Sequence, residues 1–298
     1  MALKITKASD PITVEHLTVT IYGQPGIGKS TLGFTAEKPL LLDFDRGAYR
    51  AGNRGDVVQI ETWRDVESIS ASDLAGYSTL IIDTAGRALD SLAIDITSGD
   101  PKKGNGASLN LQGFGVLKGR YLGWSKLVRS FGVDVVLIAH TDEQRKGDDL
   151  IVRLDAQGSS KGEIYKTSDL MGQLYLSGNR RMLNFSPTDT AFGKNPAQFT
   201  PFEVPDFRNN GQFLAEVIAL TKGALNRQTE EQKRVAGLLA EYKEIVDNAK
   251  TPEDLGVLIE VGQKAEDEIK APLKALIAER AKALGYRFHK GQVVPLAA

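Results

Sequence analysis

The sequence lacks cysteine and contains only three histidines. Without thiols the chain can form neither disulfide bonds nor thiolate metal sites, and so few imidazoles argue against a zinc cluster. No apolar run is long enough to cross a bilayer, and the first residues include no apolar signal core. These absences predict an intracellular, cytoplasmic protein that has no membrane partner.

The chain also lacks an excess of charge of either sign, since its formal net charge is -1. A global basic field is therefore absent, and any contact with nucleic acid must come from local patches. Of the 298 residues, 41% are hydrophobic and 25% are charged, which is typical of a globular chain with a sizeable core. This length predicts one large domain, or one large domain and a small one.

One glycine-rich stretch, residues 23–31, reads Gly-Gln-Pro-Gly-Ile-Gly-Lys-Ser-Thr and fits the phosphate-loop pattern G-x-x-x-x-G-K-[ST]. A buried strand is predicted before it and a helix after it, as this loop requires. Its backbone N–H groups and the helix dipole would face phosphate oxygens. Lys29 would reach the terminal phosphates, and Ser30 would hold Mg²⁺. The predicted nucleotide-binding residues are Gly23, Pro25, Gly26, Ile27, Gly28, Lys29, Ser30 and Thr31.

Short apolar strands alternate with amphipathic helices as far as His140. This alternation predicts an α/β fold whose mostly parallel sheet is covered by helices on both faces, with antiparallel strands at its edge. One of the antiparallel pairs is a hairpin over residues 174–185. A core over residues 1–225 and a small helical C-terminal module over residues 226–298 are expected, because helix formers dominate the end of the chain. The module is either a packing appendage or a docking unit for a protein partner.

Several local predictions concern single elements. Residues 99–115 read as a long irregular loop, and residues 163–165 read as a short strand. A last core helix is predicted over residues 213–220, and Thr229 opens a capping box that would start a separate helix. Thr251 and Pro252 are expected to begin the next helix, and Pro272 either starts or kinks a third.

Acidic residues and one histidine follow the predicted strands, at the edge where open α/β sheets bind ligands. Asp83 would hold Mg²⁺ through water, although an aspartate there can also cap the next helix. Asp45 is our first candidate to orient or deprotonate the attacking water and Asp43 the second; a solvated strand end is the alternative. His140 would contact the γ-phosphate and report the nucleotide state, or else act as a structural residue. The predicted catalytic set is Lys29, Asp45, Asp83 and His140.

Basic side chains cluster in the predicted loops and along one helix. Such clusters are usually solvated surface. Two functional alternatives are a surface for the phosphate backbone of DNA and a finger that reaches the nucleotide of a neighbouring subunit. The DNA-binding candidates are Lys102, Lys103, Lys118 and Arg120. The finger candidates are Lys161, Lys166 and Arg180.

Four motifs in order carry a family resemblance: the phosphate loop, Leu42-Asp-Phe-Asp45, Leu80-Ile-Ile-Asp83 and Val136-Leu-Ile-Ala-His-Thr141. Over roughly residues 13–220 the chain resembles the phage-encoded RecA-like ATPases, nucleotide-binding proteins associated with single-strand annealing and recombination. The resemblance implies a RecA-like core that uses ATP and Mg²⁺, assembles as a homo-oligomeric ring or filament, and binds single-stranded DNA. It also implies that Asp45 activates water, although RecA has Glu at this position.

Three other functions are compatible with the phosphate loop. Asp83-Thr-Ala-Gly-Arg87 matches the switch motif of signal-recognition-particle GTPases, but the later strand ends Ala139-His-Thr-Asp-Glu143 without their guanine-reading N/T-K-x-D sequence. A small-molecule kinase would also suit Asp43 and Asp45, but no arginine-rich lid is present. The remaining alternative is a scaffold that binds ATP without hydrolysing it. The sequence thus favours an ATPase that acts in DNA recombination or repair.

Overall fold

The structure, a computed structural model, describes residues 12–105, 108–146, 149–155, 160–289 and 292–296. The chain forms two compact units, Val14–Leu225 and a second that includes Asn226–Ala298. Within the described residues, no helix combines the length and the apolar character that a membrane span requires.

The first unit alternates strands and helices. Its elements in chain order are β1 Thr18–Gly23, α1 Lys29–Gly33, β2 Pro39–Asp43, β3 Asp56–Gln59, α2 Arg64–Glu67, β4 Thr79–Asp83, α3 Ala85–Gly99, β5 Gly104–Asn105, β6 Ser108–Leu109, α4 Leu111–Arg129, β7 Asp134–Lys146, β8 Asp149–Leu154, α5 Ser160–Thr167, β9 Leu170–Ser177, β10 Arg180–Asn184 and β11 Phe202–Glu203.

The main sheet of the described chain is nine-stranded, in the order β11-β10-β9-β1-β7-β4-β2-β3, and β8 pairs with β7. Strands β3, β2, β4, β7, β1 and β9 run parallel to one another. Strands β8, β10 and β11 are added antiparallel to β7, β9 and β10. One strand, β7, separates the phosphate-loop strand from the strand that ends at Asp83. The predicted α/β fold class, with a mostly parallel sheet and added antiparallel strands, is confirmed.

The sheet lies between two apolar layers, because successive side chains of a strand point to opposite faces. In β1, Tyr22 packs in the layer that contains Leu89 and Leu117 from the helices, while Ile21 packs with Leu214 on the other face. The runs Leu17 to Tyr22 and Leu80 to Ile82 are buried throughout for this reason. Strands covered on both faces read as continuous apolar runs, which made them visible in the sequence.

Two predictions in this unit are wrong. Residues 99–115 do not form one irregular loop: β5 and β6 pair, and α4 begins at Leu111 because the side chain of Asn110 accepts a hydrogen bond from Gly113 N at 2.9 Å. Residues 163–165 are helical rather than extended, since they lie within α5. The Thr167 hydroxyl bonds the Glu163 carbonyl at 2.8 Å, and Glu163 and Ile164 are buried on the inner side of that helix.

The second unit is helical and ends in a small hairpin. Its further elements are α7 Pro252–Lys264, α8 Asp267–Ala283, β12 Tyr286–His289 and β13 Gln292–Pro295. The predicted start of α7 is confirmed, since Thr251 forms a reciprocal capping box with Asp254 and Pro252 follows it. Pro272 lies inside α8. Neither hairpin strand was predicted.

The helix between the core and the tail is continuous, so the prediction of two helices is wrong. This helix, α6, runs over Phe213–Asn248. Thr229 does not open a new helix, because its hydroxyl donates to the carbonyl of Asn226 at 2.8 Å within α6. A threonine inside a helix commonly bonds back to the preceding turn in this way.

Candidate nucleotide-binding site

The phosphate loop between β1 and α1 requires glycine at particular positions. Gly26 and Gly28 have φ of 76° and 101°, in the left-handed region that favours glycine. A Cβ at Gly23 would lie 2.4 Å from the carbonyl oxygen of Leu174, so the backbones of β1 and β9 approach too closely for any side chain. The glycines of the phosphate-loop pattern are therefore the residues that this loop conformation requires.

Lys29 is held inside the loop rather than in solvent. Its Nζ donates to the carbonyl oxygens of Gly23 and Gln24, both at 2.9 Å, and lies 3.2 Å from His140 Nδ1. Burial lowers the pKa of Lys29 to about 8, and the nearby carboxylates of Asp83 and Asp45 only partly offset this effect. A phosphate anion would favour the protonated form, so the site is suited to an anionic ligand.

Ser30 and Asp83 meet across the cleft between α1 and β4. The Ser30 hydroxyl donates to Asp83 Oδ2 at 2.5 Å. Burial raises the pKa of Asp83 above its usual range, and the charges of Asp43 and Asp45 act in the same direction. A hydroxyl beside a carboxylate is an oxygen donor set of the kind that Mg²⁺ prefers, so these residues fit the predicted metal. Helix capping next to them falls to Thr84, whose hydroxyl accepts from Arg87 N at 3.4 Å.

The acids after β2 have different surroundings. Asp43 is 1% exposed, and its two carboxylate oxygens accept hydrogen bonds from Gly47 N at 3.0 Å and Ala48 N at 2.9 Å. Both oxygens are therefore occupied by the turn that follows. Asp45 instead lies beside the cleft: its Oδ2 is 3.3 Å from His140 Nε2, and its Oδ1 accepts from Arg87 Nε at 3.3 Å. The catalytic role of Asp45 remains a prediction, which this geometry favours over the same role for Asp43.

Strand register explains why these side chains converge. Gly23 is paired with His140 across β1 and β7, and Asp43 is paired with Asp83 across β2 and β4. The carboxyl ends of the parallel strands therefore meet at one edge of the sheet. They surround a cleft of about 360 Å³ that is lined by Gly26, Gly28, Lys29, Ser30, Thr31, Asp45, Gly47, Arg50, Ala51, Asp83, His140 and Arg181.

A second cleft, of about 190 Å³, adjoins the first. The two share Gly28, Thr31 and Arg181. Its other walls are largely apolar and come from the end of α1 and the residues after it, from β9, and from the segment that leads from β11 into the start of α6. They are formed by Leu32, Thr35, Leu174, Val204, Pro205, Asp206, Phe207 and Phe213.

Arg181 is the cleft residue that sequence reasoning passed over in favour of its neighbour. Its Nε donates to the carbonyl oxygen of Ile27 in the phosphate loop at 2.9 Å. Arg180 instead pairs with Glu203 at 3.4 Å, on the other face of the hairpin. The side chains of Arg180 and Arg181 point to opposite faces because they are successive residues of one strand. Only the pairing of β10 with β9 and of β9 with β1 shows which of the two arginines meets the loop.

The remaining basic candidates lie outside the cleft. Their charges are in several cases shared with carboxylates of the same unit: Lys118 with Glu163 at 3.0 Å, Lys166 with Glu163 at 3.3 Å, and Arg120 with Asp95 at 2.7 Å and Glu67 at 2.5 Å. Lys102 and Lys103 belong to a single 3₁₀ turn, and Lys103 Nζ donates to Gln112 at 3.2 Å. The side chain of Lys161 lies outside the described residues. Their roles remain predictions.

The sheet topology and the phosphate loop together define the fold of the P-loop nucleoside triphosphatases. A family model described as "AAA domain" matches residues 15–197, more than half of the chain, and the chain belongs to that family. A relative, the SPbeta prophage-derived uncharacterized protein YorG of Bacillus subtilis (strain 168), is 25% identical over 286 residues, which cover 86% of this chain and 81% of that one.

Solved structures show weaker similarities. A KaiC-like protein from Pyrococcus horikoshii OT3 is 13% identical with a TM-score of 0.34, and the match covers 57% of this chain and 78% of that one. The RadB recombinase is 11% identical with a TM-score of 0.33, and the match covers 56% of this chain and 79% of that one. Similarities at this level support no argument about function.

Proposed function

We propose that this protein binds and hydrolyses ATP, and that it does so as an oligomer on single-stranded DNA in recombination or repair. The observation that carries the proposal is the convergence of the phosphate loop with Asp83, Asp45 and His140 around one cleft. A glycine-rich turn that matched the pattern by chance would not place a buried lysine beside these strand ends. Membership of the AAA domain family supports the proposal that the cleft binds a nucleotide.

Binding would use both clefts. The phosphates would lie on the backbone N–H groups of residues 26–31 and on Lys29, which would exchange its carbonyl partners for phosphate oxygens. The apolar second cleft begins beside Thr31, on the α1 side of the loop, and has room for the base near Phe207. Ser30 and Asp83 would hold Mg²⁺, which would neutralise charge on the phosphates.

Hydrolysis requires a group that orients the attacking water. Asp45 would serve this purpose, because its carboxylate lies beside His140 at the edge of the cleft, and Arg87 bonds its other oxygen and fixes its orientation. His140 contacts both Lys29 and Asp45, so it would register whether a phosphate has displaced the lysine. This arrangement would let nucleotide occupancy change the contacts of a residue within β7.

The DNA and assembly parts of the proposal rest on the resemblance to phage RecA-like ATPases and on a relative that is described as prophage-derived. Ring or filament formation would let Lys161, Lys166 or Arg180 approach the nucleotide of a neighbouring subunit. Lys102, Lys103, Lys118 and Arg120 would line the DNA. The helices of the second unit would offer a docking surface to a protein partner.

ATP is preferred to GTP because the chain after Ala139 in β7 reads His-Thr-Asp-Glu, without a guanine-reading motif. A metabolite kinase and a scaffold that does not hydrolyse ATP are the alternative functions. The three are separated by the compound that stimulates ADP formation from ATP. Single-stranded DNA stimulates it for the recombination ATPase, which releases phosphate; a metabolite stimulates it for the kinase, which passes the phosphoryl group to that metabolite; and no compound stimulates it for the scaffold.

Phosphate release from ATP should be measured with and without single-stranded DNA for the wild type and for Lys29→Ala. We expect that the wild type hydrolyses ATP and that DNA stimulates this turnover. Lys29→Ala should lower the turnover rate by about 100-fold or more, because the variant has no lysine charge to pair with the terminal phosphates. Normal hydrolysis by Lys29→Ala would show that the reaction occurs elsewhere. Tight ATP binding without turnover would instead support the scaffold.

A further inference from the structure

Arg181 stands at the boundary between the two clefts. It lines both of them, together with Gly28 and Thr31. It reaches this position from β10, which pairs with β9, which in turn pairs with the phosphate-loop strand β1. The whole path runs within one sheet of one subunit, so the position of Arg181 does not depend on assembly.

The guanidinium lies over the phosphate loop. Its Nε donates to the Ile27 carbonyl at 2.9 Å, and a Cβ built on Gly28 would come within 3.4 Å of the same nitrogen. The arginine side chain therefore packs directly against residue 28, where the φ of 101° itself favours glycine. Such a contact through Nε leaves the paired terminal nitrogens of an arginine as further donors, which match phosphate geometry.

Arg181 forms no ion pair within the described residues, and its charge acts on Asp206 only at longer range, where it adds to the lowering of the pKa of that carboxyl by Arg208. Asp206, the acid that lines the second cleft, is bound by Arg208, whose Nε and terminal nitrogen reach its two oxygens at 2.8 and 2.7 Å. The neighbouring Arg180 is already paired with Glu203. Of the two adjacent arginines, the one that faces the nucleotide cleft is thus the one whose charge stays available to an anion.

We propose that Arg181 is a nucleotide-binding residue of its own subunit, and that its guanidinium binds the phosphates nearest the base. This inference rests on the proposed binding of nucleotide in the cleft. The γ end of the site is marked by His140 and Asp45, whereas Arg181 lies on the side of the second cleft. Arg181 would therefore contribute equally to the affinities for ADP and ATP.

The test is a calorimetric titration with ADP and with ATP, for the wild type and for four variants. Arg181→Ala removes the group, Arg181→Gln keeps an N–H donor for Ile27 but removes the charge, and Arg181→Lys keeps the charge but not the fork. Arg64→Ala is the control, because Arg64 is exposed, pairs with Asp95 at 3.2 Å and lines neither cleft. A charge-assisted hydrogen bond is worth about 1.5–3 kcal/mol, which corresponds to a loss of affinity of roughly tenfold to hundredfold.

We expect that Arg181→Ala and Arg181→Gln weaken the binding of ADP and of ATP by that same factor, and that Arg181→Lys falls in between. Arg64→Ala should bind both nucleotides like the wild type. If Arg181 only supports the loop, Arg181→Gln will bind like the wild type, and the inference is overturned. Loss of ATP affinity alone would also overturn it, because the contact would then be with the γ-phosphate. A wild type that binds no nucleotide would instead refute the proposed function itself.

A mixing experiment separates action in the same subunit from action across an interface. Lys29→Ala and Arg181→Ala are mixed in equal amounts and titrated with ADP. We expect the mixture to bind no more ADP than the sum of the separate variants, because no subunit contains both groups. Recovery of high-affinity sites would place Arg181 at a neighbour's nucleotide and would overturn the proposal.

Discussion

Charged side chains have opposite surroundings in the nucleotide cleft and in the outer segment, by which we mean the basic residues Lys102, Lys103, Lys118 and Arg120 in and before α4. In the cleft, Lys29 is 5% exposed and bonded to backbone carbonyls, so that burial works against its charge. On the outer segment, Lys118 and Arg120 are exposed or half-buried and form ion pairs with carboxylates of the same unit. Charges in the cleft gain from a ligand of opposite sign, whereas those of the outer segment already have partners.

The largest expected effect is within the cleft, where Asp45 and Asp43 provide a matched pair. Asp45→Asn should leave ATP binding intact and lower turnover by about 100-fold to 10,000-fold, because an amide cannot take a proton from water. Asp43→Asn should act mainly on stability. An amide oxygen can accept only part of what the carboxylate accepts from Gly47 and Ala48, so the free energy of unfolding should fall by about 1–3 kcal/mol.

The measurements are single-turnover hydrolysis and urea unfolding on both variants. Circular dichroism of each folded variant provides the control for gross structure. If Asp43→Asn loses more turnover than Asp45→Asn at equal nucleotide saturation, the assignment of the two acids must be exchanged. If neither changes the rate, the water is oriented by another group.

The part of this site that sequence could predict is the part that local pattern determines. The phosphate loop matches its pattern residue by residue. The apolar run of β4 is followed by Asp83, and the apolar first part of β7 is followed by His140, so each signal lies within a few residues. Parallel strands in turn bring those ends to one edge of a sheet. The convergence of Lys29, Ser30 and Asp83 was therefore within reach of the sequence.

The remaining features depend on pairings distant in the chain. Arg181 meets the loop only because β9 pairs with β1, and the sequence near residue 181 contains no signal of that pairing. The helical state of Glu163 to Tyr165 was missed because a short apolar run fits a strand and a helix equally well. The continuity of α6 through Thr229 was missed because the capping pattern there predicts a new helix start. The residues on both sides of it favour helix, and the helix continues through Thr229.

A smaller effect should follow from the burial of Lys29. Phosphate binds the protonated amine, and the pKa of Lys29 in the free cleft is about 8. As pH rises through that value, binding must take up a proton, so nucleotide affinity should fall by up to about tenfold per pH unit. Titrations from about pH 7 upward isolate this group, because the terminal phosphate is already ionised there. Arg64→Ala should show the same slope as the wild type. A flat profile in the wild type would mean that Lys29 does not meet the phosphate.

The smallest expected effect belongs to the outer segment. If Lys102 and Lys103 contact single-stranded DNA, replacing both with Ala should reduce the slope of log affinity against log salt by about 1.4, since each phosphate contact contributes about 0.7. The control is the exposed pair Lys243 and Lys274, whose replacement changes net charge equally. Lys118→Ala should reduce the slope by less than the value of about 0.7 for one phosphate contact, because its charge is shared with Glu163. Equal slopes for the test and control pairs would exclude the turn at Pro101–Lys103 from the DNA surface and would leave the cleft as the region where charge acts on a ligand.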